Sequence, residues 1–382
     1  MVGNQLIETQ KTGLSESERV EACCAIARER LEVGDYDGGV AVLKSRWHLG
    51  QWPIQAGLNS KAAAELLLTA GTLSGLLAST NQFAGGQRLA EALLSGSIAL
   101  FEQLGSKDRA SEGRIELGWC YFWQGLFDLA RASLHSSINN LSDSQTELRS
   151  VALIRMAVVE HYAGRLHDAV HLLDEAWPLV QTQRPWIKGR FHLEHATTLR
   201  DLGVAEATEE YYYHSLQHYR QALHEFEDLG NLRYSAIVEN NLGYLLLTLR
   251  RFDEAQSHLH RASDLFGQFG DQVKRAQVDE TIAQLYIARK EYIQAESAIK
   301  SAVSILEDRG EDALLAEALT TQGVVLCRLE HKQEAKPIIE RARRVAERCG
   351  DRESAGRALL ILIEEMCDQL PDDERREISA QA

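Results

Sequence analysis

Apolar residues recur along this chain at the three- and four-residue spacing of a helix face, most clearly between residues 230 and 262. Ala236, Asn240, Gly243 and Leu246 trace one face of a first helix, and Phe252, Ala255, Leu259 and Ala262 one face of a second. Gly243 and Ala255 are small where two helices must approach closely, and Leu246, Phe252 and Leu259 fill the space around the crossing. A single hairpin of this kind cannot bury its own apolar faces, so it requires neighbours. They follow at a fixed period. Gly230, Gly270, Gly310 and Gly350 are each 40 residues apart and each is followed by a polar residue. Within the period, Gly243, Ala283 and Gly323 align, as do Leu246, Tyr286 and Leu326. The second helices align at Ala255, Ala295 and Ala335, at Leu259, Ile299 and Ile339, and at Ala262, Ala302 and Ala342. Such self-similarity predicts a stacked array.

The repeated pattern, Leu-Gly-x-x-(Tyr/Leu), a turn, then Phe/Tyr-x-x-Ala-x-x-x-(Leu/Ile)-x-x-Ala, resembles the tetratricopeptide repeat. The long period, with Glu239-Asn240-Asn241-Leu242-Gly243 and Glu334-Ala335-Lys336-Pro337, is similar to the kinesin light chain type and to bacterial regulators with long repeats. The resemblance covers most of residues 19 to 370 and implies an all-α, right-handed α-solenoid of about eight hairpins plus a C-terminal helix. It does not fix an activity, because such arrays bind unrelated partners.

In chain order, residues 1–14 read as a disordered leader, 15–370 as the superhelical domain and 371–382 as a polar tail or the start of a further segment. Ser15 with Glu18 has capping-box spacing and predicts a helix start near residue 16. The first repeat is degenerate, with Gly39 and Arg46 where the alanines belong. The second carries a lengthened turn over residues 80–87. The third and fourth are regular around Gly118 and Ala157. The fifth departs most, its small residue Ala196 lying 47 residues before Gly243, so a longer helix or an inserted loop must absorb the excess. Of Tyr211, Tyr212 and Tyr213, adjacent residues on a helix, one or two should pack and one should be exposed. Residues 354–370 form a ninth first helix whose run Leu359-Leu360-Ile361-Leu362-Ile363 is apolar all round. Leu359, Leu360, Leu362 and Ile363 are therefore candidate oligomer-interface residues, and a homodimer through this helix is one outcome; a further domain or a different fold-back are the others.

Composition narrows the function. With 5 Pro, 7% aromatic residues and abundant Ala, Leu, Glu and Arg, helix is favoured throughout, and no run predicts a strand. A net charge of −15 disfavours a general nucleic-acid binder, so no direct nucleic-acid partner is expected. The six cysteines show no C-x-x-C spacing and read as small buried thiols in a reducing compartment. No signal-peptide core is apparent and no run approaches the length of a membrane span, so the expected location is the cytoplasm, without membrane association.

In the tetratricopeptide family the first helix of each hairpin lines the concave groove, through positions two, five, six, nine, twelve and thirteen when the small residue is eighth. The resemblance carries this phase to Trp119, Phe122 and Trp123 in the third repeat and His161 and Tyr162 in the fourth. The fifth gives Arg190, Thr197 and Arg200; the sixth Asn240, Asn241 and Tyr244; the seventh Glu280 and Gln284; the eighth Arg328. Aromatic rings beside Arg and Asn suit peptide chemistry: rings bury side chains, amides pair with backbone and guanidinium with carboxylates. Inter-repeat packing is the alternative for each ring. The family's carboxylate clamp has no Lys-x-x-x-Asn helix here to support it. His192 with His195, and His214 with His218, have spacings that place two metal ligands on one face, yet no third ligand is evident and no metal or cofactor is expected. No nucleophile elbow or phosphate loop occurs, and no enzyme is expected. The reading is a non-catalytic scaffold, adaptor or sensor that binds a protein or peptide in its groove; the alternative is the sensory or oligomerisation module of a bacterial transcription or signalling regulator.

Overall fold

The structure, a computed structural model, describes residues 13–79 and 85–366. Most of the expected leader, part of the turn at 80–87 and the tail at 371–382 lie outside the described residues. Those described contain seventeen helices and no strand. They form two compact units, Met1–Tyr234 and Ser235–Ala382.

Unit 1 pairs α1 (Glu16–Glu32) with α2 (Tyr36–Val42), α3 (Ser60–Ser79) with α4 (Gly86–Gln103) and α5 (Lys107–Trp123) with α6 (Phe127–Asn140). It continues with α7 (Thr146–Tyr162) on α8 (Leu166–Val180) and α9 (Pro185–Ala205) on α10 (Glu209–Asp228). The expected helix start is present: Glu18 N–H donates to Ser15 Oγ at 3.3 Å while Ser15 N–H donates to the Glu18 carboxylate at 2.7 Å. The longer step in the fifth repeat is absorbed by helix length, since α9 and α10 run to 21 and 20 residues. Gly203 lets them meet there, because a Cβ at that position would stand 2.6 Å from the Tyr212 ring. Tyr213 is the exposed tyrosine of its triplet. In the degenerate first repeat, Trp47 fills the space that regular packing leaves; it is fully buried and its Nε1–H donates to Gln51 O at 3.0 Å. One expectation fails: α3 is long and apolar enough by composition to cross a membrane, although most of it is buried against its neighbours, which explains its apolarity without one.

Unit 2 begins in the first turn of α11 (Leu232–Thr248) and pairs that helix with α12 (Phe252–Gln268). It then pairs α13 (Gln272–Ala288) with α14 (Tyr292–Arg309) and α15 (Asp312–Arg328) with α16 (Lys332–Cys349), and ends on α17 (Arg352–Met366). Ala283, Ala295, Ile299, Ala302, Leu326, Ala335, Ile339 and Ala342 are all buried in one core, as the 40-residue phase requires. Helix crossings are tight at the small positions: a Cβ on Gly243 would lie 2.6 Å from Leu259 Cγ, and one on Gly323 2.2 Å from Ile339 Cγ1. Leu359 and Leu362 are buried in this same core, against α15 and α16, and so are not available as interface residues; Leu360 is exposed and Ile363 half-buried. Cys24, Cys120 and Cys327 are buried as expected, whereas Cys349 is exposed.

Candidate functional site

The first helices of unit 1 face inward, and the unit closes on itself. Asn231, wholly buried, donates from Nδ2 to the Glu32 carbonyl at the end of α1, at 2.7 Å. Arg184, before α9, pairs with Glu32 at 2.6 Å and with Glu147 on α7. The Arg233 guanidinium lies 5.0 Å over the Tyr36 ring. These contacts tie the first hairpin to the fifth and to the start of α11.

Beside them lies a partly open chamber of about 200 Å³. Arg28, Leu31 and Glu32 enter it from α1, Leu68, Thr69, Thr72 and Leu76 from α3, and Glu112, Glu116 and Trp119 from α5. Val151, Ile154 and Arg155 enter from α7, Trp186, Ile187 and Arg190 from α9, and Tyr36 and Tyr234 complete the wall. Its charges are paired. Arg155 holds Glu116 at 2.8 Å and donates to the Ile115 carbonyl at 3.0 Å. Arg190 donates to the Tyr234 hydroxyl at 2.7 Å and pairs with Glu194 at 2.8 Å. Arg28 meets Glu65 at 2.8 Å, and Arg109 bridges Glu65 to Glu112. Burial pushes the Glu112 carboxyl up despite Arg109. At Glu65 burial also opposes ionisation, but Arg109 and Arg28 outweigh it and its carboxyl lies below the usual range. Trp119 lies between two cations, the guanidinium carbons of Arg155 and Arg190 standing 5.3 and 5.7 Å from its ring.

From Trp119 an aromatic ridge leads outward. Trp119 stacks on Phe122 at 4.7 Å, Trp123 meets both edge-on, and Tyr162 meets Phe122 edge-on at 5.1 Å. Trp123 and Tyr162 are 47% and 62% exposed. Phe122, expected in the groove, is instead buried among these rings and packs the ridge from beneath. His161 is held by the Thr198 hydroxyl at 3.1 Å and by Asp201 at 3.0 Å. Thr197 turns to α10, where its hydroxyl meets that of Tyr219 at 3.1 Å, and so serves the helix pair rather than the groove. Arg200 bonds Asp201 at 2.7 Å and the Tyr219 hydroxyl at 3.4 Å.

In unit 2, Asn240, Asn241 and Tyr244 are half-buried along α11, and the buried Asn240 Oδ1 has no hydrogen-bond donor. Glu280 is buried, accepting from Thr321 and Gln284, each at 2.6 Å, so these two expected groove residues bond each other. Arg328 is exposed and pairs with Glu365 at 2.6 Å.

Sequence reasoning missed Arg28, Glu32, Glu112, Glu116, Arg155, Trp186 and Tyr234. The signal was present for the first five, which occupy the ninth, thirteenth, second, sixth and sixth positions of their repeats, the same phase that singled out Trp119. The histidines also come together more than their spacing announced. His192 and His195 on α9 meet His218 on α10, with His192 Nδ1 2.9 Å from His218 Nδ1 and the rings of His195 and His218 4.2 Å apart. Trp177 and Phe191 pack against His192. Burial and then mutual repulsion lower all three, His195 and His192 to about 4 and His218 to about 3. Among the described residues no group of three or more His, Cys, Asp or Glu is set to hold a metal ion.

The hairpin stack is of the tetratricopeptide type, a helical-repeat solenoid. No protein-family model matches the chain, and no curated protein matches it. Among solved structures it is similar to the apo form of the quorum sensor NprR from B. thuringiensis, at 12% identity and TM-score 0.60, over 90% of this chain and 92% of that one. It is similar to a Rap protein complexed with Competence and Sporulation Factor, at 14% identity and TM-score 0.58, over 96% and 100%. A third is the tetratricopeptide-sensor STAND protein PH0952 from Pyrococcus horikoshii, at 13% identity and TM-score 0.55, over 92% of this chain but 52% of that one. Identities this low establish the shared fold alone.

Proposed function

We propose that the protein is a non-catalytic, cytoplasmic scaffold that binds a protein or peptide segment on the concave face of unit 1. The observation that carries this is the ridge from Trp119 to Trp123 and Tyr162: large rings, rigidly stacked on one another, with two of them left to solvent. Rings held in place by their neighbours lose little freedom on binding, which is what makes an aromatic anchor effective. The similar folds support the reading, since the Rap protein carries a bound factor and NprR is a quorum sensor. The STAND protein's tetratricopeptide sensor gives some support to a second reading, a sensory module, in which the exposed Leu360 would join two copies.

Selection of a displayed random-peptide library on the full chain tests the first reading. Enriched peptides should bind the double variant Trp123→Ala, Tyr162→Ala at least roughly thirtyfold more weakly, the loss of one hot spot of about 2 kcal/mol. Its melting temperature should hold, because both side chains are already half out of the fold. Peptides that bind wild type and variant equally would remove the ridge from consideration.

A further inference from the structure

We propose that the chamber of unit 1 binds a free apolar α-amino acid, held as its zwitterion. Size sets the first limit. A dry cavity of roughly 150 Å³ admits benzene, so about 200 Å³ admits one large side chain with its amino-acid head. The lining sets the second. Trp119, Trp186 and Ile154 offer an apolar wall, while Arg28, Arg155, Glu112 and Glu116 bring both signs of charge into the same small space. A wholly apolar ligand would strip water from these groups and replace none of its hydrogen bonds. These charges are paired within the wall, but a guanidinium has five N–H donors and a carboxylate about four acceptor sites, so the pairs keep both donors and acceptors for a ligand, and a ligand of one charge would meet only one kind. A zwitterion supplies a carboxylate to the guanidiniums and an ammonium to the carboxylates, with its side chain on the aromatic wall.

Entry is provided for as well. The chamber shares Arg28, Glu32, Glu112 and Arg184 with an open cleft of about 1080 Å³, and between the two spaces stand Arg184 and its partners Glu32 and Glu147. The Arg184 side chain is 51% exposed, so it can swing aside without movement of any helix. The inference shares Trp119 and Arg190 with the peptide reading but not the exposed ridge, so the two fail separately: Trp123→Ala with Tyr162→Ala should leave amino-acid binding intact.

The test is calorimetric titration of the full chain with L-leucine, L-phenylalanine and L-tryptophan, each alongside its N-acetyl and its amide derivative. At least one free amino acid should bind with one-to-one stoichiometry, and each derivative should bind about tenfold more weakly or worse. Ile154→Phe, which fills the chamber, should abolish binding, and Glu116→Gln should weaken it about tenfold. Should Ile154→Phe fail to fold, Glu116→Gln and the ligand series on the wild-type chain decide. No binding up to millimolar concentration would overturn the proposal. So would derivatives that bind as well as the parent, or N-acetyl forms alone retaining affinity, which would identify a polypeptide C-terminus as the ligand.

Discussion

The three imidazoles between α9 and α10 make stability depend on pH in a way that can be isolated. A histidine titrates at 6.5 when free, whereas here His192 and His195 lie near 4 and His218 near 3. The unfolded chain therefore takes up protons on these rings as pH falls through 6.5, while the folded chain resists until about 4, and at His218 until about 3. Stability from this source is complete above 6.5, falls from 6.5 to about 4 for His192 and His195 and to about 3 for His218, and changes no further once both states are protonated. At pH 5 a ring that is protonated only when unfolded has forfeited about 1.5 pH units at 1.36 kcal/mol each, or about 2 kcal/mol, relative to neutral pH. Three rings give at most about 6 kcal/mol, less because their titrations are coupled. Carboxylates elsewhere also respond to acid, so the informative quantity is a difference. Urea unfolding of wild type and of His218→Leu at pH 7.5 and pH 5 should show the wild type losing about 2 kcal/mol more than the variant over that interval. Equal losses would refute the reasoning and mean that the rings are hydrated enough to titrate normally.

Two further predictions concern unit 2. Gly323→Ala should destabilise by about 1–3 kcal/mol, since the new methyl meets Ile339 Cγ1 at 2.2 Å, and should cost more than Gly243→Ala, where the nearest atom is at 2.6 Å; chemical denaturation of both variants gives the order, and the reverse order would contradict the packing. Leu359→Glu should unfold the end of unit 2, a loss above about 4 kcal/mol for a charge placed in the core, while Leu360→Glu should keep stability within about 0.5 kcal/mol. Light scattering on Leu360→Glu then decides the dimer: a mass equal to that of the wild type would remove this helix as an interface.

The fold was legible in the sequence because repetition multiplies a weak signal. Gly243, Ala283 and Gly323 each say little, but together with Ala255, Ala295 and Ala335 they fix which faces meet, and the structure buries all of them. The site was legible only in part. Trp119 and Arg190 line the chamber, and Trp123 and Tyr162 are exposed. Phe122 and Thr197 share the groove phase but turn into the packing, because position on a helix fixes direction and not what stands opposite. The chamber itself was not readable, since it depends on how far the hairpins wind before Asn231 reaches Glu32, a distance of 199 residues along the chain. No local spacing encodes that meeting. The same holds for His218, brought to His192 only by the pairing of two unusually long helices.

The contact between Asn231 and Glu32 also bears on how unit 1 comes apart. A linear array of repeats has two free ends, each hairpin is held by its nearest neighbours alone, and unfolding begins where a neighbour is missing. Here the first hairpin is fastened to the fifth and to the start of α11 through Asn231, Arg184 and the Arg233 contact with Tyr36, so neither end of the unit is a terminus in the physical sense. Amide protons of α1, which in an open stack would exchange among the fastest, should exchange with those of α9 as one cooperative body. Asn231→Ala, by cutting one buried fastening, should return α1 to the behaviour of a frayed end.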